Sequence, residues 1–170
     1  LMQPMNDHDL TVDMPATATV EDLTAGQTAL MVAASCGRDE VVGVCMGAGA
    51  DVAAIAEDGC SALHYACESG NADVVRRLLE DERCAIEQLV KDGRTALTLA
   101  AAAGDVEIVN VLVAAGAAVG AGDAEGWTAL HWACDRGHDA VVQRLHEHEA
   151  DVNARANDGE TGLMVAAGEG

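Results

Sequence analysis

From residue 28 onward the apolar positions fall into two kinds of run that alternate. A short dense run, such as Leu30 to Ser35 or Leu97 to Ala103, stops at a glycine. A longer run follows, with apolar residues on one helical stripe: Val41, Val42, Cys45 and Met46; Val74, Val75, Leu78 and Leu79; Ile108, Val109, Leu112 and Val113; Val141, Val142 and Leu145. That spacing predicts an amphipathic helix with one buried face. Before each short run stands a hydroxyl residue, Thr28, Ser61, Thr95, Thr128 or Thr161, two positions after a glycine. This order predicts a turn, a helix N-cap and a short helix. The longer helix opens on acids, Asp39 and Glu40, Asp73, Asp105 and Glu107, and Asp139, which suit the positive end of a helix dipole. Gly49 and Gly116 stand where a left-handed residue would end it, and Glu149 takes that place once.

The pattern is periodic. "GQTAL", "GCSAL", "GRTAL", "GWTAL" and "GETGL" begin at Gly26, Gly59, Gly93, Gly126 and Gly159, in steps of 33, 34, 33 and 33. Gly37, Gly70, Gly104, Gly137 and Gly170 keep the same steps. The single longer step falls at "EDERCAIEQ", where the second unit carries one extra residue. Two markers locked in phase define a repeat array, in which each unit buries its apolar face only against its neighbours.

These units resemble ankyrin repeats. "TALHWACDRGHDAVVQRLHEHEADVNARANDGET", from Thr128 to Thr161, carries the resemblance best, and "GADVAAIAEDGCSALHYAC", from Gly49 to Cys67, is close behind. The fold class this implies is all-α: a solenoid of stacked helix-turn-helix units joined by hairpin-like turns, with repeats at 22–54, 55–88, 89–121 and 122–154 and a partial one at 155–170. Residues 1–21 hold Pro4 and Pro15 and no repeat phase, and are expected to be a tail or a degenerate unit. The chain begins at Leu1 and stops after the first helix of a fifth unit, so a piece of a longer polypeptide is expected. Ala29, Ala62, Ala96, Ala129 and Gly162 replace the family's usual Pro at the first helical position, a change that weakens helix starts without altering the fold. The resemblance also assigns His64 and His131, three residues after Ser61 and Thr128, to structural bonds between units, and makes Asn153 in "DVNA" the counterpart of an asparagine that the family hydroxylates.

Composition narrows the function. Aromatics amount to Tyr65, Trp127, Trp132 and no Phe, so the core must be built of small and aliphatic side chains. The net charge of −20, from 29 acidic and 9 basic residues, argues against nucleic acid and anionic membrane as partners, since both reward Lys and Arg. It suits a protein partner with a basic surface, and repulsion between copies favours a monomer. The 15 uncharged residues from Ile108 to Gly122 include Asn110 and three glycines, and a bilayer span needs about 20 mostly apolar ones. Six cysteines without C-x-x-C or zinc-finger spacing read as small buried hydrophobes. They point to a reducing, intracellular setting, cytoplasmic with the nucleus open.

Reactive chemistry finds little support. His146 and His148 in "HEH" lie two apart on a helix and face different sides, which argues against a zinc site; His146 takes the slot of Met46, Leu79 and Val113, a core-facing stripe. Met31, Thr98 and Met164 stand where His64 and His131 stand, and no nucleophile recurs beside them. Cys67 and Cys134 match a packing Ala of the motif, with no basic surroundings to activate a thiol. No phosphate loop is present. No catalytic residue, metal ligand or cofactor is therefore assigned.

The remaining candidates are on the surface. In the family, partners dock on the concave side, made of hairpin tips and exposed positions of the short helices. Carried over, the partner-binding candidates are Glu57, Asp58, Glu68, Lys91, Arg94, Glu125, Trp127, Asp135, Arg136 and Asp158, and Cys60 shares a tip with the first two. Trp127 stands just after a turn glycine and is the favoured anchor. Trp132 and Tyr65 are expected to be partly buried against the next helix. The implied function is non-catalytic protein binding as a scaffold or adaptor. Two alternatives differ from it: a regulatory segment of a kinase, ubiquitin ligase subunit or channel, and, more remotely, a cysteine- or metal-dependent hydrolase using His131, Cys134 and His138.

Overall fold

The computed structural model describes residues 26–168; the expected tail at 1–21 lies outside them. Within them the chain forms α1 (Ala29–Ser35), α2 (Asp39–Gly47), α3 (Ala62–Glu68), α4 (Ala72–Leu79), α5 (Ala96–Ala103), α6 (Val106–Ala114), α7 (Ala129–Asp135), α8 (Asp139–Glu147) and α9 (Gly162–Gly168). The short helices α1, α3, α5, α7 and α9 pack in one row, and α2, α4, α6 and α8 in a second.

The hydroxyl caps act as the pattern predicts, by three different chemistries. At α5, Thr98 N–H donates to Thr95 Oγ1 and Thr95 N–H to Thr98 Oγ1 (2.8 Å). At α1 the Met31 sulfur accepts from Thr28 N–H (3.3 Å). At α3 and α7 the return bond comes from a buried imidazole: His64 Nδ1 accepts from Ser61 N–H (3.0 Å) and His131 Nδ1 from Thr128 N–H (3.2 Å). Each Nδ1 is therefore an acceptor, which leaves the proton on Nε2. His64 Nε2 donates to Gln88 O (3.0 Å) and His131 Nε2 to Glu160 O (3.3 Å), each reaching the next unit.

Left-handed residues end the longer helices α2, α6 and α8. After α8, Ala150 N–H donates to Leu145 O and Glu149 N–H to His146 O, with Glu149 at φ 62°. Gly49 and Gly116 close α2 and α6 by the same pair of bonds, the Schellman arrangement. The extra residue of unit two replaces that ending with a run of turns through Glu80 and Asp81.

The core lies between the rows. Leu63, Leu78, Ile108, Leu112 and Leu145 are at most 1% exposed, and burying a side chain of that size contributes about 1.5–3 kcal/mol. Ala66, Ala100 and Ala133 are fully buried in the short helices, where their size lets adjacent units approach. On the outer row, Arg77 pairs with Asp39, and Arg76 with Glu107 (2.6 Å), linking α2, α4 and α6. One assignment is corrected: His146 is exposed, because its slot is only half-buried even in Met46, Leu79 and Val113 and, among the described residues, no helix packs beyond α8. Among the described residues no helix is long and apolar enough to cross a membrane.

Candidate partner-binding face

Among the described residues, three hairpin turns are built by a carboxylate that holds a backbone amide beyond it. Asp58 Oδ1 accepts from Cys60 N–H (2.8 Å), Asp92 Oδ1 from Arg94 N–H (3.2 Å) and Asp158 Oδ1 from Glu160 N–H (2.9 Å). Successive tips are tied together, as Lys91 N–H donates to Asp58 O, Ala124 N–H to Asp92 O and Asn157 N–H to Glu125 O. The tips thus form a continuous row with fixed spacing. Isolated antiparallel bridges join Ile55 to Ser61, Gly122 to Thr128 and Arg155 to Thr161 at their bases.

The fourth turn differs. Glu125 occupies the slot of Asp58, Asp92 and Asp158, and the amide-holding carboxylate is Asp123, two positions earlier. Its Oδ1 accepts from Glu125 N–H (3.1 Å) and Trp127 N–H (2.8 Å), and its Oδ2 from Trp132 Nε1–H (2.8 Å). The Trp127 and Trp132 rings meet edge to face, 5.1 Å apart at 60°, a favoured aromatic geometry. The Arg94 guanidinium lies 5.4 Å over Trp132 while its Nε bonds Asp92 Oδ2 at 2.7 Å. The Arg94 pair holds Asp92 below the usual carboxylate range.

Arg94 thus stacks on Trp132 while its charge acts on Glu68. Glu68 ends α3 and is exposed; partial desolvation raises its pKa, opposed by Arg94 and assisted by Asp58. Glu57, Lys91, Glu125 and Asp158 are exposed on the tips. Asp135 and Arg136 pair with each other (3.1 Å) at the end of α7 and line a separate groove of about 720 Å³ between α7, α8 and α9, with Leu130, Val142, Val152 and Leu163.

Two tip positions differ from the expectation. Cys60 is buried, facing inward under the turn. Asp58 is half-buried and engaged, since Tyr65 Oη–H donates to its Oδ2 (2.8 Å). Burial works against its ionisation, but the Cys60 amide, the Tyr65 hydroxyl and the Cys60 side chain outweigh it and keep the carboxyl low. Tyr65 is fully rather than partly buried. Sequence reasoning missed Asp123. Its signal was an Asp three residues before the turn glycine, where the other units have Ala56, Val90 and Ala156, in the one unit that carries both tryptophans.

Both imidazoles of the hydrolase alternative are committed to backbone carbonyls. His131 is engaged through both nitrogens, and His138 Nε2 meets Ala102 O at 3.1 Å. Desolvation raises the Cys134 thiol pKa, as it does those of Cys84, to about 11, and Cys60, to about 12, the opposite of what a nucleophile needs. Among the described residues no group of three His, Cys, Asp or Glu side chains could hold a metal ion.

A family model for ankyrin repeats matches residues 10–92, 30–123, 82–156 and 116–170, together nearly the whole chain. The chain belongs to the ankyrin-repeat family. It is 35% identical over 126 residues to the E3 ubiquitin-protein ligase KEG of Arabidopsis thaliana, covering 71% of this chain and 8% of that protein. It is 32% identical over 148 residues to the nuclear factor NF-kappa-B p105 subunit of Gallus gallus, covering 85% and 15%. To the palmitoyltransferase AKR1 of Lachancea kluyveri it is 33% identical over 142 residues, covering 82% and 19%. The chain thus spans less than a fifth of each of these relatives, which are larger proteins with an ankyrin-repeat segment. As an ankyrin-repeat array it is a protein-interaction module.

Proposed function

We propose that this array binds a protein partner on the side formed by its hairpin tips and short helices, without catalysing a reaction of its own. The supporting observation is the Trp127–Trp132 pair, fastened by Asp123 and flanked by Arg94. A half-buried aromatic pair held before a partner arrives is a low-entropy anchor. The charge of −20 supports a partner with a basic surface and a monomeric array. Six free cysteines support a reducing compartment. Capture of proteins from lysate by the wild type, Trp127→Ala, Glu125→Lys and the outer-row control Glu40→Lys tests the reading. Loss of the same bands with the first two substitutions alone is expected. Identical band patterns for all four proteins would overturn the choice of face.

A second reading has its own support. The repeats could act as a regulatory segment that packs within a larger protein, as the short coverage of the relatives suggests. The apolar groove beside α9, with Leu163 77% and Val152 47% exposed, offers a further helix the kind of seat α8 has on α6. Protection of Leu163 from hydrogen exchange in the longer protein, but not in this chain, would favour this reading.

A further inference from the structure

Around the aromatic pair of the fourth unit almost every polar group is already engaged. Trp132 serves as support: its Nε1–H donates to Asp123 Oδ2 (2.8 Å), and its ring lies under the Arg94 guanidinium. The backbone of the tip is closed as well. The N–H groups of Asp123, Ala124, Glu125, Gly126 and Trp127 donate to Trp127 O, Asp92 O, Asp123 Oδ1, Asp123 O and Asp123 Oδ1 in turn. Asn157 in the next tip takes two of the carbonyls, its N–H donating to Glu125 O (2.9 Å) and its Nδ2–H to Ala124 O (3.0 Å). The tip therefore has no free run of amides and carbonyls to which a partner strand could add. One donor remains. The Trp127 indole N–H has no hydrogen bond among the described residues and, unlike Asn110 Oδ1, is not shut away from solvent. Its ring is nevertheless fixed edge to face on Trp132, and its backbone N–H is held by Asp123.

We propose that Trp127 takes a proline-bearing extended segment of the partner, whose proline ring packs on the indole while a neighbouring carbonyl accepts from Nε1–H. The proposal rests on the face assigned above and goes further, because it names the chemistry that is read. The acceptor is a neutral carbonyl, since a chain of net charge −20 with Glu125 in the same tip repels a carboxylate. The segment is in the polyproline II conformation, because that backbone has no internal hydrogen bonds, keeps its carbonyls free and is already ordered before binding. A preformed segment suits an indole that is held in place before the partner arrives.

The chain has two tryptophans, so an isotope-labelled sample of the full chain shows one indole N–H resonance for each, and Trp127→Phe identifies which is which. The probe is capped hexaproline. A capped Gly-Ser-Gly-Ser-Gly-Ser peptide is the control, with carbonyls but neither the ring nor the conformation. Hexaproline is expected to move the Trp127 indole resonance saturably, to leave that of Trp132 nearly in place, and to bind roughly tenfold more tightly than the control peptide. Trp127→Phe keeps an aromatic ring and removes only the donor. It should weaken hexaproline binding about three- to tenfold, as followed by the backbone amides of the tip, with an unchanged helical circular dichroism spectrum. A Trp127 resonance that stays in place, equal affinity for the two peptides, or undiminished binding by Trp127→Phe would overturn the proposal. Lysate capture that depends on Trp127, together with no response to hexaproline, would leave the docking face standing and remove the proline segment.

Discussion

His64 is the clearest single-residue control on stability. Burial is the largest influence on its imidazole and pushes the pKa below its ordinary 6.5, against the Gln88 carbonyl and the Asp58 and Asp92 charges. The unfolded chain therefore binds a proton that the folded chain refuses. The sign follows: stability is full above about pH 6.5, falls as the pH drops below it, and levels once the folded imidazole is protonated. Asp39, Asp58 and Asp92 have lowered pKa values and add a second loss below about pH 3.8. Glu68, shifted upward, acts weakly in the opposite direction. Urea midpoints should fall between about pH 7.5 and about pH 5, and a flat profile there would contradict the account. Glu149 offers a gain instead. It is held at φ 62° where units one and three have Gly49 and Gly116, and a left-handed non-glycine residue costs about 1–2 kcal/mol. Glu149→Gly should raise the free energy of unfolding by about 1 kcal/mol, read from the same urea curves.

At the scale of the element, the turn glycines separate local strain from contact between units. Gly104 and Gly137 hold the same turn position, at φ 79° and 66°. A Cβ at Gly137 would meet nothing within 4 Å, whereas one at Gly104 would lie 2.7 Å from the His138 ring. Gly137→Ala should therefore cost about 1 kcal/mol, the strain alone. Gly104→Ala should cost roughly 2–3 kcal/mol, because it also displaces the ring that meets Ala102 O across the junction. Denaturation of the two variants side by side checks this, and equal losses would refute the junction contact. Element existence was plain in the sequence because a hydroxyl cap opens each short helix and an apolar stripe runs along each longer one. The starts of α1 and α5 at Ala29 and Ala96 follow directly from the caps at Thr28 and Thr95. What Asp123 does was not plain, as local turn chemistry does not reveal which amides and which indole a carboxylate will meet.

The whole molecule carries its charge as a cost as well as a signal. With a net charge of −20 spread over 170 residues, self-repulsion opposes compaction, and salt screens it. The thermal midpoint should rise as sodium chloride increases from about 20 mM to about 500 mM, the reverse of a fold dependent on surface ion pairs. Binding of a basic partner should weaken over the same interval. A salt response of the same sign for both would contradict this account.

The sequence by itself determined the family, the order of the helices and their ends, because those follow from neighbours along the chain: a hydroxyl before a helix, a stripe at helical spacing, a glycine in a left-handed turn. It also put Trp127, Arg94 and Glu68 among the candidate surface positions, of which Glu68 is exposed and the other two are half-buried. Only the tertiary structure decided which of these residues meet. Arg94 reaches Trp132 across a unit boundary, 38 residues away in the chain, and Asp58 is drawn to the Tyr65 hydroxyl and away from the surface. Repeat periodicity sets which slot a residue fills, but the contacts between slots depend on side-chain reach and on competition for partners, and those are settled only when the units stack.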